Sequence, residues 1–159
     1  MHPNVARVVE TARAAGLDIE VTRFPEGTRT AADAARAVGC TVAQIVKSLV
    51  FMADGTAVVA LVSGANRVDA AKLAVAVGAG AVRRADGDEA RSATGVAIGG
   101  VPPFGHARPI AIVVDRDLMM HDRVWAAAGL PDAVFPIGPD ALVSVSGGRV
   151  ANLAESPTG

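Results

Sequence analysis

An α+β fold built on a mixed, strongly curved sheet is predicted from three observations. Candidate strands outnumber long helices along the 159 residues. A tight hairpin turn at Asp54-Gly55 coexists with helical crossovers between other strands, so a strict βαβ alternation fails. Hydrophobic residues make up 51% of the chain and aromatics only 3%, so the core has to be filled by small aliphatic side chains, and a pocket within it can be narrow. At this length one domain over residues 1–159 is expected, large enough to bury about two-thirds of its unfolded surface.

The elements follow in order. Asn4 is expected to cap a helix whose Val5, Val8, Val9 and Ala12 share one face, with Gly16 closing it. Leu17 to Phe24 reads as a strand and Pro25-Glu-Gly27 as a turn. Thr30-x-x-Asp33 has the form of a capping box before Ala34 to Val38, stopped by Gly39. Thr41-x-x-Gln44 starts a short helical turn that delivers the chain into a strand at Ile45–Met52. Asp54-Gly55 then returns it through Ala57 to Ser63. A helix is expected over Ala70 to Val77 with Lys72 exposed, ended by Gly78, then a strand over Ala81 to Arg84 and a short helix over Asp86 to Ala93. Pro109 to Val114 is the most strand-like run, and Asp115 is expected to cap the turn after it. Val124 to Ala127 and Ala133 to Ile137 read as strands around the turn Gly129-Leu-Pro131. Pro139 opens a last helix or helix–strand pair, and the tail is expected to fray from Glu155.

Composition narrows the function classes. Sixteen acidic against fifteen basic residues leave a formal net charge of −1, so there is no global positive field of the kind a DNA binder uses, and any RNA contact has to be local. The single cysteine, Cys40, rules out an internal disulfide and a Cys-rich zinc site, and it reads as a small buried hydrophobe. Residues 1–20 lack a basic start followed by an apolar core, and charges or glycines interrupt every later apolar run. A soluble, untargeted protein of the cytoplasm with no membrane partner is the expectation.

Two places carry chemistry. The segment from Gly95 to Gly105 packs four glycines and the Pro102-Pro103 pair between two expected strands, so it is both bent and stiff. Its N–H groups at Gly99, Gly100, Val101, Phe104 and Gly105 suit an oxygen-rich ligand, while a plain crossover between strands explains the segment equally well. The second place is Lys47. Alternation puts Ile45, Lys47, Leu49 and Phe51 on one strand face and Val46, Ser48, Val50 and Met52 on the other. A lysine amid such residues pairs with a carboxylate, marks a protected edge, or reaches a cavity where its ammonium suits a phosphate or oxyanion. Ser48 reads as a packing residue rather than a nucleophile, and His106 as a surface loop histidine. No histidine has metal-ligand or nucleophile-elbow spacing.

Taken together, Thr30-Ala-Ala-Asp-Ala-Ala-Arg-Ala-Val-Gly39, Gln44-Ile-Val-Lys47-Ser-Leu-Val-Phe51, Asn66-Arg-Val-Asp69-Ala-Ala-Lys-Leu73 and Gly99-Gly-Val-Pro-Pro103-Phe-Gly105 resemble the YbaK family of aminoacyl-tRNA deacylases. That family is related to the editing domain inserted in bacterial prolyl-tRNA synthetase, and the resemblance runs from about residue 20 to 153. It implies a barrel-like mixed sheet with flanking helices and a cleft for the aminoacylated 3′ end of tRNA. It also implies a trans-editing hydrolase that removes a small non-cognate amino acid such as Cys or Ala from tRNA for proline, without metal or organic cofactor and with prolyl-tRNA synthetase as a partner. By the same resemblance Lys47 is the essential catalytic residue. Gly99, Gly100, Val101, Pro102 and Pro103 embrace the aminoacyl group, and Gly105, Ser48 and Thr30 complete the substrate-binding set. Some members carry a tyrosine near Thr30 and this chain has none, so the amino acid is left open. The alternative within the same fold is a catalytically silent module that binds tRNA ends or docks on a synthetase.

Overall fold

The computed structural model describes residues 1–24 and 30–156, and the turn expected at Pro25-Glu-Gly27 lies outside them. Helix α1 (Pro3–Ala14) is capped by His2, whose Nδ1 accepts from the Asn4 N–H at 3.1 Å. Asn4, the expected cap, instead sends its side-chain amide 3.1 Å to the Gly129 carbonyl, tying the helix start to a distant turn. Val5, Val8 and Ala12 are buried as their spacing requires. The following strand shrinks to β1 (Thr22–Arg23). Leu17, Ile19 and Val21 do alternate inward and pack on the core, but among the described residues this segment pairs in a ladder only at Thr22 and Arg23.

Helix α2 (Ala31–Val38) has the Thr30/Asp33 capping box and ends at Gly39. A 3₁₀ turn (Val42–Gln44) then leads into β2 (Val46–Ala53), β3 (Thr56–Ser63), α3 (Ala70–Val77), β4 (Val82–Arg84) and α4 (Gly87–Thr94). Asp86 is the cap of α4, with Glu89 closing a capping box. Beyond the Gly/Pro segment come β5 (Ala111–Asp115), β6 (Val124–Ala127), β7 (Ala133–Ile137), α5 (Pro139–Ser146) and β8 (Arg149–Ala151). Lys72 is half-buried rather than exposed, and its ammonium donates to the Ala154 carbonyl at 2.6 Å. Together with the Val68–Ala154 bridge and the Glu155 N–H to Arg67 carbonyl bond, this holds the chain as far as Glu155, where fraying was expected to begin; residues 157–159 lie outside the described residues.

The class is α+β. The strands form two sheets, and no closed barrel is found among the described residues, in contrast to the barrel-like sheet the resemblance implied. One sheet is antiparallel, in the order β1-β7-β6; the other is mixed, in the order β4-β2-β3-β5-β8, with β3-β5 and β5-β8 parallel. A parallel bridge between Ile45 and Trp125 links them. The main core lies between the sheets and α1, with Val46 and Val50 of β2, Phe135 of β7 and Phe104 of the Gly/Pro segment. A second core on the far face of the mixed sheet holds Phe51, Ala53, Val62, Leu73 and Leu153. Strand β2 therefore has the expected two faces, with Lys47 in phase with Phe51 and Ser48 in phase with Val46 and Val50.

The Gly/Pro segment is anchored at its far end. The Phe104 ring meets that of Phe135 at 5.7 Å between centroids, and Gly105 lies against α1 with φ at 76°. A Cβ at Gly105 would come within 3.0 Å of the Thr11 hydroxyl and 3.3 Å of both the Arg7 carbonyl oxygen and the Val8 Cα. Gly105→Ala combines left-handed strain with a helix backbone that has little room to retreat, so urea unfolding is expected to show a loss of about 2–3 kcal/mol. A loss under about 0.5 kcal/mol would mean that the segment does not depend on this contact.

Candidate active site between the two sheets

Strand β2 pairs with β3 over its whole length, from Val46 to Ala53, but with β4 only from Phe51 to Ala53. Its first half is an edge, and a cavity of about 290 Å³ opens beside it. Residues 45–50 line one side, Ala31, Ala34 and Val38 of the α2 region a second, Trp125, Ala126 and Ala127 of β6 a third, and Ile98, Gly99 and Val101 of the Gly/Pro segment a fourth. The walls are mostly small and aliphatic, which is the narrow pocket that the composition suggested.

Lys47 and the Gly/Pro segment thus share one hollow although they lie some fifty positions apart. The Lys47 ammonium donates to the Asn66 carbonyl at 2.6 Å, and its other two donors have no protein partner among the described residues. No carboxylate pairs with it directly among the described residues; the lysine sits on an edge and also lines the cavity. Its pKa lies below the ordinary lysine value, first because burial disfavours the charge and then because Arg84 and Arg67 repel it, with the Asp115 carboxylate opposing the shift. Arg84 also lines the cavity and lies over the Phe51 ring, 5.4 Å from its centroid.

The other expected site residues divide. Ser48, Thr30, Gly99 and Val101 line the cavity; Gly100, Pro102, Pro103 and Gly105 do not. The Thr30 hydroxyl is engaged in capping, accepting from the Asp33 N–H at 3.0 Å. The Ser48 hydroxyl is buried and has no hydrogen-bond partner, the one such side-chain atom among the described residues. The Gly100 N–H donates to the Ala97 carbonyl at 3.2 Å, so it is used within the segment. A Cβ at Gly100 would meet Leu130 Cα at 3.0 Å and the Gly129 carbonyl oxygen at 3.1 Å. This glycine therefore permits close packing against the β6–β7 turn. Pro102 and Pro103 are buried, and the Pro102 carbonyl accepts from His106 Nε2 at 2.7 Å.

His106 is therefore a half-buried strut of the segment rather than a fully exposed residue, and burial pulls its pKa down against the opposing effect of that hydrogen bond. Cys40 is only half-buried, with its thiol directed to the Thr41 carbonyl and its pKa raised by burial. Asp115 does cap the turn, accepting from the Asp117 N–H at 2.9 Å, but it is also completely buried and accepts from the Ser63 N–H and the Asn66 amide. Sequence reasoning gave Asn66 and Arg84 no role. Asn66 stands in one of the quoted family segments, which was the available signal; Arg84 follows only from the short pairing of β4. Among the described residues, no group of three His, Cys, Asp or Glu gathers as a metal site, and no helix is long and apolar enough to cross a membrane.

Comparison with known proteins concerns the chain as a whole. The family model described as "Aminoacyl-tRNA editing domain" matches residues 25–145. An uncharacterized protein of Bacillus subtilis (strain 168), YwhH, is 31% identical over 132 residues, covering 82% of this chain and 83% of that protein. The proline–tRNA ligase of Xanthomonas oryzae pv. oryzae (strain MAFF 311018) is 36% identical over 90 residues, 57% of this chain but only 16% of the ligase. A crystal structure described as "a putative trans-editing enzyme for prolyl tRNA synthetase" superposes with a TM-score of 0.91 at 44% identity, covering 98% of this chain and 99% of that one. With the family match spanning most of its length and the two-sheet frame shared almost end to end, this chain belongs to the aminoacyl-tRNA editing domain family.

Proposed function

We propose that the protein is a hydrolase that acts in trans in the cytoplasm, removing a small non-cognate amino acid such as Cys or Ala from mischarged tRNA for proline. The observation that carries this reading is the small cavity flanked by Lys47 on one side and Gly99 and Val101 on the other. Its volume, about 290 Å³, is at the bottom of the range of roughly 300–1,000 Å³ for small-molecule sites, which suits an aminoacyl group. Family membership supports the reaction class. The similarity to the trans-editing crystal structure and to a segment of proline–tRNA ligase supports the tRNA and makes prolyl-tRNA synthetase the partner we assign.

The reaction is hydrolysis of the ester that joins the amino acid to the terminal ribose. Water adds to the carbonyl carbon, the carbonyl oxygen becomes an oxyanion, and the bond to the ribose oxygen breaks as that oxygen takes a proton. The Lys47 ammonium, with two donors not engaged by protein, is assigned to the oxyanion or the adjoining phosphate. The backbone N–H groups of Gly99 and Val101, which have no protein acceptor among the described residues, are assigned to the same oxygen. The described lining includes no Asp, Glu or His, so activation of the water falls to groups of the substrate, with the protein supplying position and field. That same lack of a base favours the second reading, a silent module that binds tRNA ends or docks on a synthetase.

A deacylation panel over several aminoacyl-tRNAs separates the two. Lys47→Ala is expected to lower turnover at least 100-fold with the fold intact by circular dichroism. Equal turnover would remove Lys47 from the mechanism, while binding by the wild type without ester loss would establish the silent module. Steep weakening of tRNA binding with added salt is expected in either case, because Lys47, Arg67 and Arg84 are the cations grouped here. Since the ammonium form acts, turnover is expected to fall as pH rises through the lowered Lys47 pKa, an alkaline limb below the ordinary 10.5. A flat profile up to that pH would contradict the assigned role. Ser48→Ala removes an unpartnered buried hydroxyl, so the free protein is expected to keep or gain up to about 1 kcal/mol of stability. A loss above about 1 kcal/mol would show that the hydroxyl is satisfied in solution.

A further inference from the structure

Lysine is a long and flexible side chain, and an ammonium that has to meet one developing charge needs an anchor. Here the anchor is the main-chain carbonyl of Asn66, in the connection between β3 and α3. That connection is itself fastened. The Asn66 side-chain amide donates to Asp115 Oδ2 and to Asp117 Oδ2, each at 2.8 Å. Asp115 stands at the end of β5, has no exposed surface, and accepts from the Ser63 N–H at 3.1 Å and the Asp117 N–H at 2.9 Å. The Ser63 hydroxyl donates to the Ala43 carbonyl at 2.8 Å, and the Gly64 N–H to the Ile45 carbonyl at 2.7 Å, so the same connection is tied back to the start of β2. Among the described residues no cation touches Asp115 directly; Asn66 stands between its carboxylate and the Lys47 ammonium.

We infer that Asn66 and Asp115 are positioning residues for Lys47, a clamp in which a buried carboxylate holds an amide so that the same residue's carbonyl holds the ammonium at the cavity. Two effects follow. Geometrically, loss of the amide frees the carbonyl on which Lys47 rests. Electrostatically, the groups that act on Lys47 are Arg84 and Arg67, which disfavour its charge, and Asp115, which favours it; Asp117 meets the Asn66 amide, not the lysine. Removing the Asp115 charge therefore lowers the lysine pKa further, and removing Arg84 raises it.

The kinetic arm of the test rests on the editing reading; a second arm does not. Lys47 and Lys72 are the only lysines in the chain, so selective lysine labelling gives two NMR signals, assigned by Lys47→Ala. Titration of the protein is expected to show the Lys47 pKa falling in Asp115→Asn and rising in Arg84→Ala. Asn66→Ala, which lies in a half-buried connection and is expected to fold, should lower kcat for deacylation about 10- to 100-fold with KM changed less than threefold. Asn66→Asp, which sets a third carboxylate against two, should be at least as poor. Failure of wild-type turnover on every aminoacyl-tRNA would overturn the editing reading and leave the titration to judge the clamp. An unmoved Lys47 signal in folded Asn66→Ala and Asp115→Asn would overturn the clamp whatever the activity. If Asp115→Asn does not fold, the Lys47 signal and kcat of Asn66→Ala decide, and wild-type values for both would refute the proposal.

Discussion

Strand β2 is paired along one whole edge and for only three residues along the other, and the site depends on that asymmetry. A strand end left without a neighbour exposes a row of backbone donors and acceptors, which proteins usually cover or charge. Here the uncovered half faces the second sheet across a gap, and the Ile45–Trp125 bridge links the two sheets at one end of it. The hollow beside residues 45–50 is what remains between two sheets that touch without merging.

Around that gap the chain places charge with some care. Lys47 loses hydration and has two arginines nearby, both unfavourable to an ammonium, yet no carboxylate bonds it directly among the described residues. A direct ion pair would neutralise the group and use up its donors; a carbonyl takes one donor and leaves two. The Gly/Pro segment meets the same need by different means. Its stiffness comes from the proline pair, from the His106 bond to Pro102 and from the Phe104–Phe135 contact, so the part that lines the hollow is held from behind.

Local grammar was the legible part of the sequence. Capping boxes at Thr30/Asp33 and Thr41/Gln44, the stops at Gly39 and Gly78, and the Asp54-Gly55 hairpin depend on neighbours a few residues apart, and each formed where expected. The alternation that gave β2 its two faces was legible for the same reason. What pairs with what over long separations was not: Leu17 to Val21 has a strand's pattern and no ladder partner among the described residues, and nothing local says that the strands divide into two sheets. The site was half legible. Lys47 and Gly99 stood out as unusual residues, whereas the partner of Lys47 is a main-chain carbonyl nineteen residues away, which no side-chain chemistry announces. Thr30 lines the hollow but spends its hydroxyl on a helix start, and Gly100 serves packing, distinctions that only neighbours in space reveal.

The division into two sheets also separates two kinds of evolutionary freedom. Lys47 and the residues that brace it belong to the mixed sheet and its connections, while Trp125, Ala127 and Val134 of the opposing wall belong to the antiparallel one. Enlarging a side chain at Ala127 or trimming one at Val134 alters the shape of the chamber without disturbing the strands that carry the amine. On this frame the shape of the hollow is able to change while the surroundings of the amine stay as they are.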